Sequence, residues 1–167
     1  VGGEPIEVTT YRVDGAYRDG RHPDAVSFAG SIEEDLARRD FTVNAMAFHP
    51  SRGLLDPFGG QADLAAGILR TVGDPRERFA EDALRILRGC RFASQLGFAL
   101  EEAAWAAAVS QKSLLARVSA ERIFHELDGL LRGERVHDAL LSTADALSFV
   151  LPELVAMQGF PQATPYH

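Results

Sequence analysis

The sequence EDALRILRGCR at residues 81–91 combines an apolar helical pattern with two carboxylates and three arginines. On a helix, Glu81, Arg85 and Arg88 fall within about 60° of one another, and Asp82 and Arg91 flank them. The opposite side is apolar and is expected to be buried: Phe79, Ala83, Ile86, Leu87 and Cys90. Arginine forks bind planar acceptors, and a carboxylate accepts hydrogen bonds from an amine. The polar side therefore indicates either a surface that reads a nucleotide or a solvated, salt-bridged helix face.

The composition predicts a globular protein of one ordinary domain or two small ones, because 46% of the 167 residues are hydrophobic. A net charge of −7 and a pI near 5.2 argue against indiscriminate phosphate binding, so nucleic-acid contact must be local. Cys90 is the only cysteine, which excludes an internal disulfide and suits a cytoplasmic protein. No apolar run approaches the ~20 residues of a membrane span.

The chain begins with patterns of short strands. Residues 6–13 alternate and predict one strand, and residues 25–28 predict a second. Ser31 followed by Glu34 fits a capping box, which predicts a short helix from near Ile32 that carries Asp35, Arg38 and Arg39. Residues 45–55 predict a hairpin that ends the β region.

After Gly60 the pattern is helical. Asp74 as cap, Pro75 at the first position and Gly97 as stop predict one helical region that includes residues 81–91. Further helices are expected over about 101–109, 120–131 and 135–147. The fold class is therefore α+β, a small α+β piece followed by an all-α piece.

Five motifs carry a family resemblance. In order they are IEVTT (6–10), RRDFTVNA (38–45), DPFGG (56–60), RFAEDALRILR (78–88) and SAERIFHEL (119–127). In this order and at these spacings, the set resembles the bacterial and eukaryotic class of tRNA nucleotidyltransferases, the CCA-adding enzymes, and the related bacterial poly(A) polymerases.

The resemblance implies a division into domains. Residues 1–60 would be the remnant of a nucleotidyltransferase β head, residues 61–147 a helical neck that recognises the base, and residues 148–167 the start of a body or a linker toward a possible HD domain. The family also carries a Gly-Gly loop and an Asp-x-Asp pair upstream, which have no counterpart here. We therefore expect a fragment that lacks the first catalytic motif.

The resemblance implies transfer of CMP or AMP from CTP or ATP to a tRNA 3′ end with Mg²⁺. Carboxylates on a rigid strand hold the metals of such a reaction best. Glu7 matches the family's third catalytic carboxylate and would be catalytic and a metal ligand, together with the missing Asp pair. Without the resemblance, Glu7 would be interpreted as an exposed strand residue.

The same resemblance assigns residues to the nucleotide. The expected nucleotide-binding residues are Arg39, Asp40, Asn44, Asp82, Arg85, Arg88 and Arg91. Arg39 and Asp40 match positions that meet the triphosphate and ribose, and Asp82 and Arg85 match positions that read the base. Cytosine and adenine both offer an amine beside a ring acceptor, which complements a carboxylate and a guanidinium, whereas uracil and guanine offer the reverse. Arg88 or Arg91 could instead pair with Glu81 or Glu77.

The remaining motif residues are predicted to have structural roles. Asp56, Gly59 and Gly60 form either a hinge or a plain tight turn. Ser119 is expected to cap a helix, with Glu121 and Arg122 in a support that packs on the nucleotide helix. Four of the five histidines share no metal-ligand spacing and are expected at the surface or in packing: His22, His49, His125 and His137.

Two alternatives stay open. Poly(A) polymerases and enzymes that add only CC or A share these motifs. The chain as given could also be a non-catalytic module that binds a nucleotide or tRNA.

Overall fold

The computed structural model describes residues 10–14, 26–28, 30–159 and 161, and for 12–14 and 26–28 it describes the backbone alone. The predictions for Glu7 and His22 lie outside the described residues.

The described β part consists of short antiparallel pairs. Most of the strand predicted over residues 6–13 lies outside the described residues or outside the strand that the structure shows. Strand β1 (Arg12–Asp14) pairs with β2 (Val26–Phe28). Helix α1 (Ile32–Ala37) follows, and β3 (Ala47–His49) and β4 (Gly53–Leu55) form the predicted hairpin.

Helix α1 begins at the predicted cap but ends sooner than expected. The Ser31 hydroxyl accepts from the Glu34 N–H, and the Glu34 carboxylate accepts from the Gly30 N–H at 2.9 Å. The helix stops at Ala37, so Arg38 and Arg39 do not lie in it as predicted. The reason is Phe41, which is fully buried and bridges to Thr71 in extended conformation, so that the chain must leave the helix before it.

The DPFGG segment is a capped tight turn. Asp56 accepts from the backbone N–H groups of Gly60 at 2.6 Å and Gln61 at 2.9 Å, and helix α2 (Gly60–Ala66) begins there. The hydrogen bond from Gln61, opposed by partial burial and reinforced by the bond from Gly60, lowers the pKa of the Asp56 carboxyl. Gly59 has φ 76°, a left-handed conformation that favours glycine. A hinge function for this turn stays a prediction.

The helical part contains helices near the predicted positions, together with two short strands, a 3₁₀ segment and a final short helix that the sequence did not predict. A two-residue strand, β5 (Ile68–Leu69), pairs in parallel with β6 (Ala99–Leu100). The helices are α3 (Pro75–Glu81), α4 (Leu84–Leu96), α5 (Glu102–Gln111), α6 (Ala120–Leu131), α7 (Val136–Leu147) and α8 (Glu153–Met157), with a 3₁₀ segment over Lys112–Arg117.

The prediction of one continuous helical region across residues 81–91 is wrong. The backbone of Asp82 is extended, with φ −146° and ψ 103°, and separates α3 from α4. The Asp82 carboxylate accepts from the Leu84 N–H at 3.1 Å, the local bond by which an aspartate favours a helix start over a helix interior. Glu81 therefore does not share a helix with Arg85, although its Oε2 lies 2.6 Å from Arg85 Nη1.

Ser119 occupies the predicted N-cap position of α6, with an extended backbone, but its side chain makes no capping bond. Its carbonyl instead accepts from the Ile123 N–H at 3.1 Å, and the exposed hydroxyl faces solvent.

The core is centred on α4, which packs against α6 and α7. The apolar side predicted from the sequence is buried there: Phe79, Ala83, Ile86, Leu87 and Cys90. Burial raises the pKa of the Cys90 thiol to about 12. No helix in the described part of the chain has the length and apolar character needed to cross a bilayer.

We predict that Gly60→Ala destabilises the fold. A Cβ at this position would lie 2.3 Å from the Thr42 carbonyl oxygen, so the backbone must shift. The expected loss is about 1–3 kcal/mol in the free energy of unfolding, the scale of overpacking, measured by denaturant titration. Gly30→Ala is the control, because its Cβ would meet only the flexible Glu34 side chain at 3.9 Å. Equal stability of the two variants would contradict the prediction.

Candidate functional site

A polar cavity of about 490 Å³ lies between the RRDFTVNA segment and the start of α4. Six of the residues predicted to bind a nucleotide line it: Arg39, Asp40, Asn44, Asp82, Arg85 and Arg88. Five arginines and two aspartates face this space, so its formal charge is positive although the whole chain is acidic. Such a cavity suits a polyanion.

Asp40 and Arg88 join the two parts of the chain at this cavity. Asp40 Oδ2 accepts from Arg88 Nε at 2.6 Å, and Oδ1 accepts from the Phe41 N–H at 2.8 Å and from Asn44 Nδ2 at 3.2 Å. Burial alone would raise the pKa of Asp40, but the charge of Arg88 and these hydrogen bonds outweigh burial and hold the pKa below its ordinary value. The carboxylate is therefore a fixed anion.

Arg85 is buried and bonded mainly to the protein. Its Nη1 donates to the Arg78 carbonyl at 3.1 Å and to Glu81 at 2.6 Å, and its Nη2 donates to the Arg38 carbonyl at 3.0 Å. A guanidinium has five donors. The donors of Arg85 left for a bound molecule in the described part of the chain are therefore on Nε and Nη2.

Asp82 is held by a residue that the sequence placed only in a packing support. Arg122 of α6 donates from Nη2 to Asp82 Oδ2 at 2.7 Å, while Oδ1 accepts from the Leu84 N–H. Arg122 also lines the cavity. The carboxylate thus has one orientation, which is what an acceptor that reads an amine requires.

Arg39 is the more exposed arginine of the RRD segment. Its Nη1 donates to the Asn44 carbonyl at 3.0 Å, and its Nη2 lies 3.4 Å from Asp35. Arg38 pairs with the same buried Asp35 at 2.6 Å. Asp35 thereby fixes both arginines beside the cavity.

Arg91 does not line the cavity. Its Nε donates to Glu126 at 2.6 Å, its Nη1 donates to Gln95 at 2.8 Å, and its guanidinium lies 4.3 Å from the centre of the Phe92 ring. Neither Arg88 nor Arg91 pairs with Glu81 or Glu77, the partners considered from the sequence, because Asp40 and Glu126 take those positions.

Glu126 was not predicted as a functional residue, and Arg122 was predicted to have only a structural role. One signal was present: Arg122 and Glu126 are four residues apart on an amphipathic helix, so they share one face, and that face meets α4. Their partners on α4 could not be read from that spacing.

The described residues do not form a metal site. No group of at least three His, Cys, Asp or Glu side chains with suitable placement occurs among them. Asp40 and Asp82 line the cavity, but each is paired with an arginine. Glu7, the predicted metal ligand, lies outside the described residues.

The histidines within the described chain fit their surface prediction. His49, His125 and His137 are exposed, and His49 Nδ1 lies 2.9 Å from the Ser51 hydroxyl.

Two family models match the chain. Residues 1–70 match the model described as the poly A polymerase head domain, and residues 97–157 match the model described as the probable RNA and SrmB-binding site of polymerase A.

The chain is also similar to curated CCA-adding enzymes. It is 49% identical to that of Geobacillus kaustophilus over 155 residues, which cover 92% of this chain and 38% of the relative. It is 50% identical to that of Bacillus subtilis over 137 residues, covering 82% and 34%. The chain thus spans well under half the length of these relatives.

The chain is also similar to solved structures of CCA-adding enzymes. The Bacillus stearothermophilus CCA-adding enzyme in complex with CTP superposes with a TM-score of 0.77 at 43% identity, covering 86% of this chain and 34% of that one. An apo form of a CCA-adding enzyme gives a TM-score of 0.76 at 29% identity over 89% of this chain and 36% of that one.

We predict a pH-dependent contribution of Asp40 to stability. Its pKa is depressed in the folded protein, so its stabilising effect is present above the ordinary value of 3.8 and is lost as the pH falls through the folded pKa. The free energy of unfolding of Asp40→Asn should be lower than that of the wild type by about 1–3 kcal/mol at neutral pH. That difference should shrink below about pH 4.

The measurement is urea unfolding of the two proteins across pH. Asp128→Asn is the control, because Asp128 pairs with an exposed Arg132 and such surface pairs contribute little. If the free energy of unfolding of the wild type exceeds that of Asp40→Asn by the same amount at every pH, the prediction is contradicted.

Proposed function

The chain belongs to the family of CCA-adding enzymes and poly(A) polymerases, and from this premise we propose that it is part of a tRNA nucleotidyltransferase. Its substrates would be CTP and ATP, its acceptor the 3′ end of tRNA, and its reaction the addition or repair of CCA. The observation that carries the proposal is the cavity in which Asp82, Arg85 and Arg88 meet Asp40. The similarity to CCA-adding enzymes, one of them in complex with CTP, supports the choice of substrate.

Base selection would rest on Asp82 and Arg85. The Asp82 carboxylate accepts from the exocyclic amine of cytosine or adenine, and Arg85 donates to the adjacent ring nitrogen. Uracil and guanine would place a carbonyl against the carboxylate and an N–H against the guanidinium, leaving buried polar groups unpaired at roughly 1–3 kcal/mol each. Protein side chains would then select both nucleotides without a nucleic-acid template.

Binding of the phosphates would rest on the exposed arginines. Arg39 keeps a side-chain exposure of 45%, and Arg88 keeps 34%. Guanidinium forks bind phosphate oxygens in pairs. Asn44 would act through Asp40, to which it donates. Arg91 would act from behind the site, through Glu126.

For the domains, we propose a head part through residue 60, a neck over 61–147 that recognises the base, and a segment over 148–167 that leads to a body or a possible HD domain. The head and neck are closely bonded at their junction. The Thr42 hydroxyl donates to Asp63 at 2.7 Å, and the Val72 N–H donates to the Asp40 carbonyl at 3.0 Å.

The metal chemistry belongs to the whole protein. We propose Mg²⁺ held by Glu7 together with the aspartate pair that the family carries upstream, which would activate the attacking hydroxyl and neutralise the leaving pyrophosphate. The described residues contribute binding and orientation of the nucleotide. The chain alone would therefore bind without catalysing transfer, as in the alternative considered from its sequence.

A second candidate is poly(A) polymerase activity, which the description of both matching family models favours. A poly(A) polymerase would bind its nucleotide in the same cavity, but its product would be an adenosine tail.

We predict that the full-length protein adds C, C and A to a tRNA that lacks its 3′ end. Products are resolved on sequencing gels with CTP, ATP or both. Glu7→Gln should lower turnover by orders of magnitude and leave nucleotide affinity nearly unchanged, because only the metal ligand is lost. The isolated 167-residue chain should add nothing. A long adenosine tail would identify a poly(A) polymerase, and no extension by the full-length wild type would refute both activities.

We predict that base selection depends on Asp82, Arg85 and the residue that orients Asp82. Asp82→Ala combined with Arg85→Ala should reduce the preference for CTP and ATP over UTP and GTP by roughly 1–3 kcal/mol per group. Arg122→Ala should reduce it in the same direction by releasing the Asp82 carboxylate. Competition between nucleotides measures the preference, and thermal unfolding checks that each variant is folded.

Two controls accompany this prediction. Arg132→Ala removes an exposed arginine directly after the last residue of helix α6 and should leave selection unchanged. Arg88→Ala should weaken all four nucleotides alike. If the double variant excludes UTP and GTP as strongly as the wild type, another element reads the base.

A further inference from the structure

We propose that Glu126 is a positioning residue that accepts Arg88 when a nucleotide enters the cavity and thereby frees Asp40 to bind that nucleotide. The inference rests on the proposed function of the cavity. It concerns two carboxylates, Asp40 and Glu126, that face one guanidinium from different parts of the fold.

Glu126 is a buried carboxylate that is already fixed in place. Its side chain is 5% exposed, and its Oε2 accepts from Arg91 Nε at 2.6 Å. A buried carboxylate requires such a partner, because an unpaired charge away from water is costly. Arg91 is held in turn by Gln95 and by the Phe92 ring.

Arg91 packs closely against the backbone of α6 at Gly129. A Cβ at Gly129 would lie 2.5 Å from Arg91 Cδ, so this position has room for the arginine only because it is glycine. Arg91 and Glu126 therefore form one fixed unit behind the cavity. This gives Arg91 a role although it does not line the cavity.

Arg88 lies between that unit and the cavity. Its Nε donates to Asp40 Oδ2 at 2.6 Å, while its Nη1 lies 3.9 Å from Glu126 Oε1, which is beyond hydrogen-bond distance. The guanidinium also lies 5.4 Å from the centre of the Phe92 ring. A movement of about 1 Å toward Glu126 would bring Nη1 into hydrogen-bond range.

A nucleotide changes the balance between these two positions. Arg88 Nε occupies one acceptor position of Asp40 Oδ2, so a hydroxyl of the sugar competes with Arg88 for that position. A sugar hydroxyl that takes this position displaces Arg88, and Glu126 provides a second carboxylate that pairs with Arg88 at its new position. Asp40 keeps its bonds from Phe41 and Asn44 throughout. Each buried charge thus has a partner before and after the exchange.

The test uses the full-length protein and Glu126→Gln. The amide oxygen of this variant can still accept from Arg91, so the fixed unit is retained, but the negative charge that attracts Arg88 is lost. We expect KM for CTP and for ATP to rise together by about tenfold, the scale of one charge-assisted hydrogen bond. The turnover number and the preference over UTP and GTP should stay within about twofold, since neither the metal ligands nor Asp82 changes.

Asp128→Asn is the matched control, because it removes a carboxylate from the same helix at a site paired with the exposed Arg132. Its KM values should equal those of the wild type. The decisive comparison is made in an Arg88→Gln background, in which Glu126→Gln should raise KM no further. Additive effects would mean that Glu126 acts only by packing through Arg91, and would overturn the proposal.

A crystal structure of the wild-type full-length protein with CTP keeps the proposal testable if the variants fail to fold. Arg88 should donate to Glu126 at about 2.7–2.9 Å and no longer to Asp40. Arg88 still bonded to Asp40 in the complex would overturn the exchange. Absence of nucleotide addition by the same wild-type protein would instead refute the proposed function, so the two failures are distinguishable.

Discussion

The buried carboxylate of Asp40 sets the constraint around which the cavity is arranged. It lies at 8% side-chain exposure between an irregular segment and the first turns of α4, and it is satisfied from both. The Phe41 N–H fixes it locally, and Arg88 fixes it across the junction of the two parts. Because an unpaired buried charge is strongly unfavourable, the head segment cannot separate from α4 without loss of stability. The same pairing keeps the cavity anionic at one point and cationic around it.

Periodicity predicted the elements whose stability comes from apolar burial, and it failed where a polar side chain decides the backbone. The bounds of α6 follow from its apolar spacing, and the buried side of α4 follows from residues such as Ile86 and Leu87. The break before α4 does not, because Asp82 caps Leu84 and pairs with Arg122, a residue forty positions later. A spacing rule contains no information about such a distant partner.

In the candidate site, too, the sequence predicted some residue positions correctly and could not predict the contacts between distant residues. The motifs placed Asp40, Asp82 and Arg85 around a common cavity, because the resemblance supplies residue positions that no single helix pattern could. The spacing of Arg88 and Arg91, three residues apart, also suggested that both side chains lie beside the nucleotide. Both guanidiniums lie over the Phe92 ring, but only Arg88 lines the cavity and bonds to Asp40, whereas Arg91 bonds to Glu126. This difference depends on how α6 lies across α4, and only the tertiary structure contains that information.

Gly129 has a consequence for how the sequence of this protein can vary. The position is remote from the cavity and has no side chain, so a library built from cavity-lining residues would leave it out. Yet the close approach of Arg91 to its backbone means that even alanine would displace that arginine. Natural drift or directed evolution toward a new nucleotide preference is therefore limited at a site that never touches the substrate.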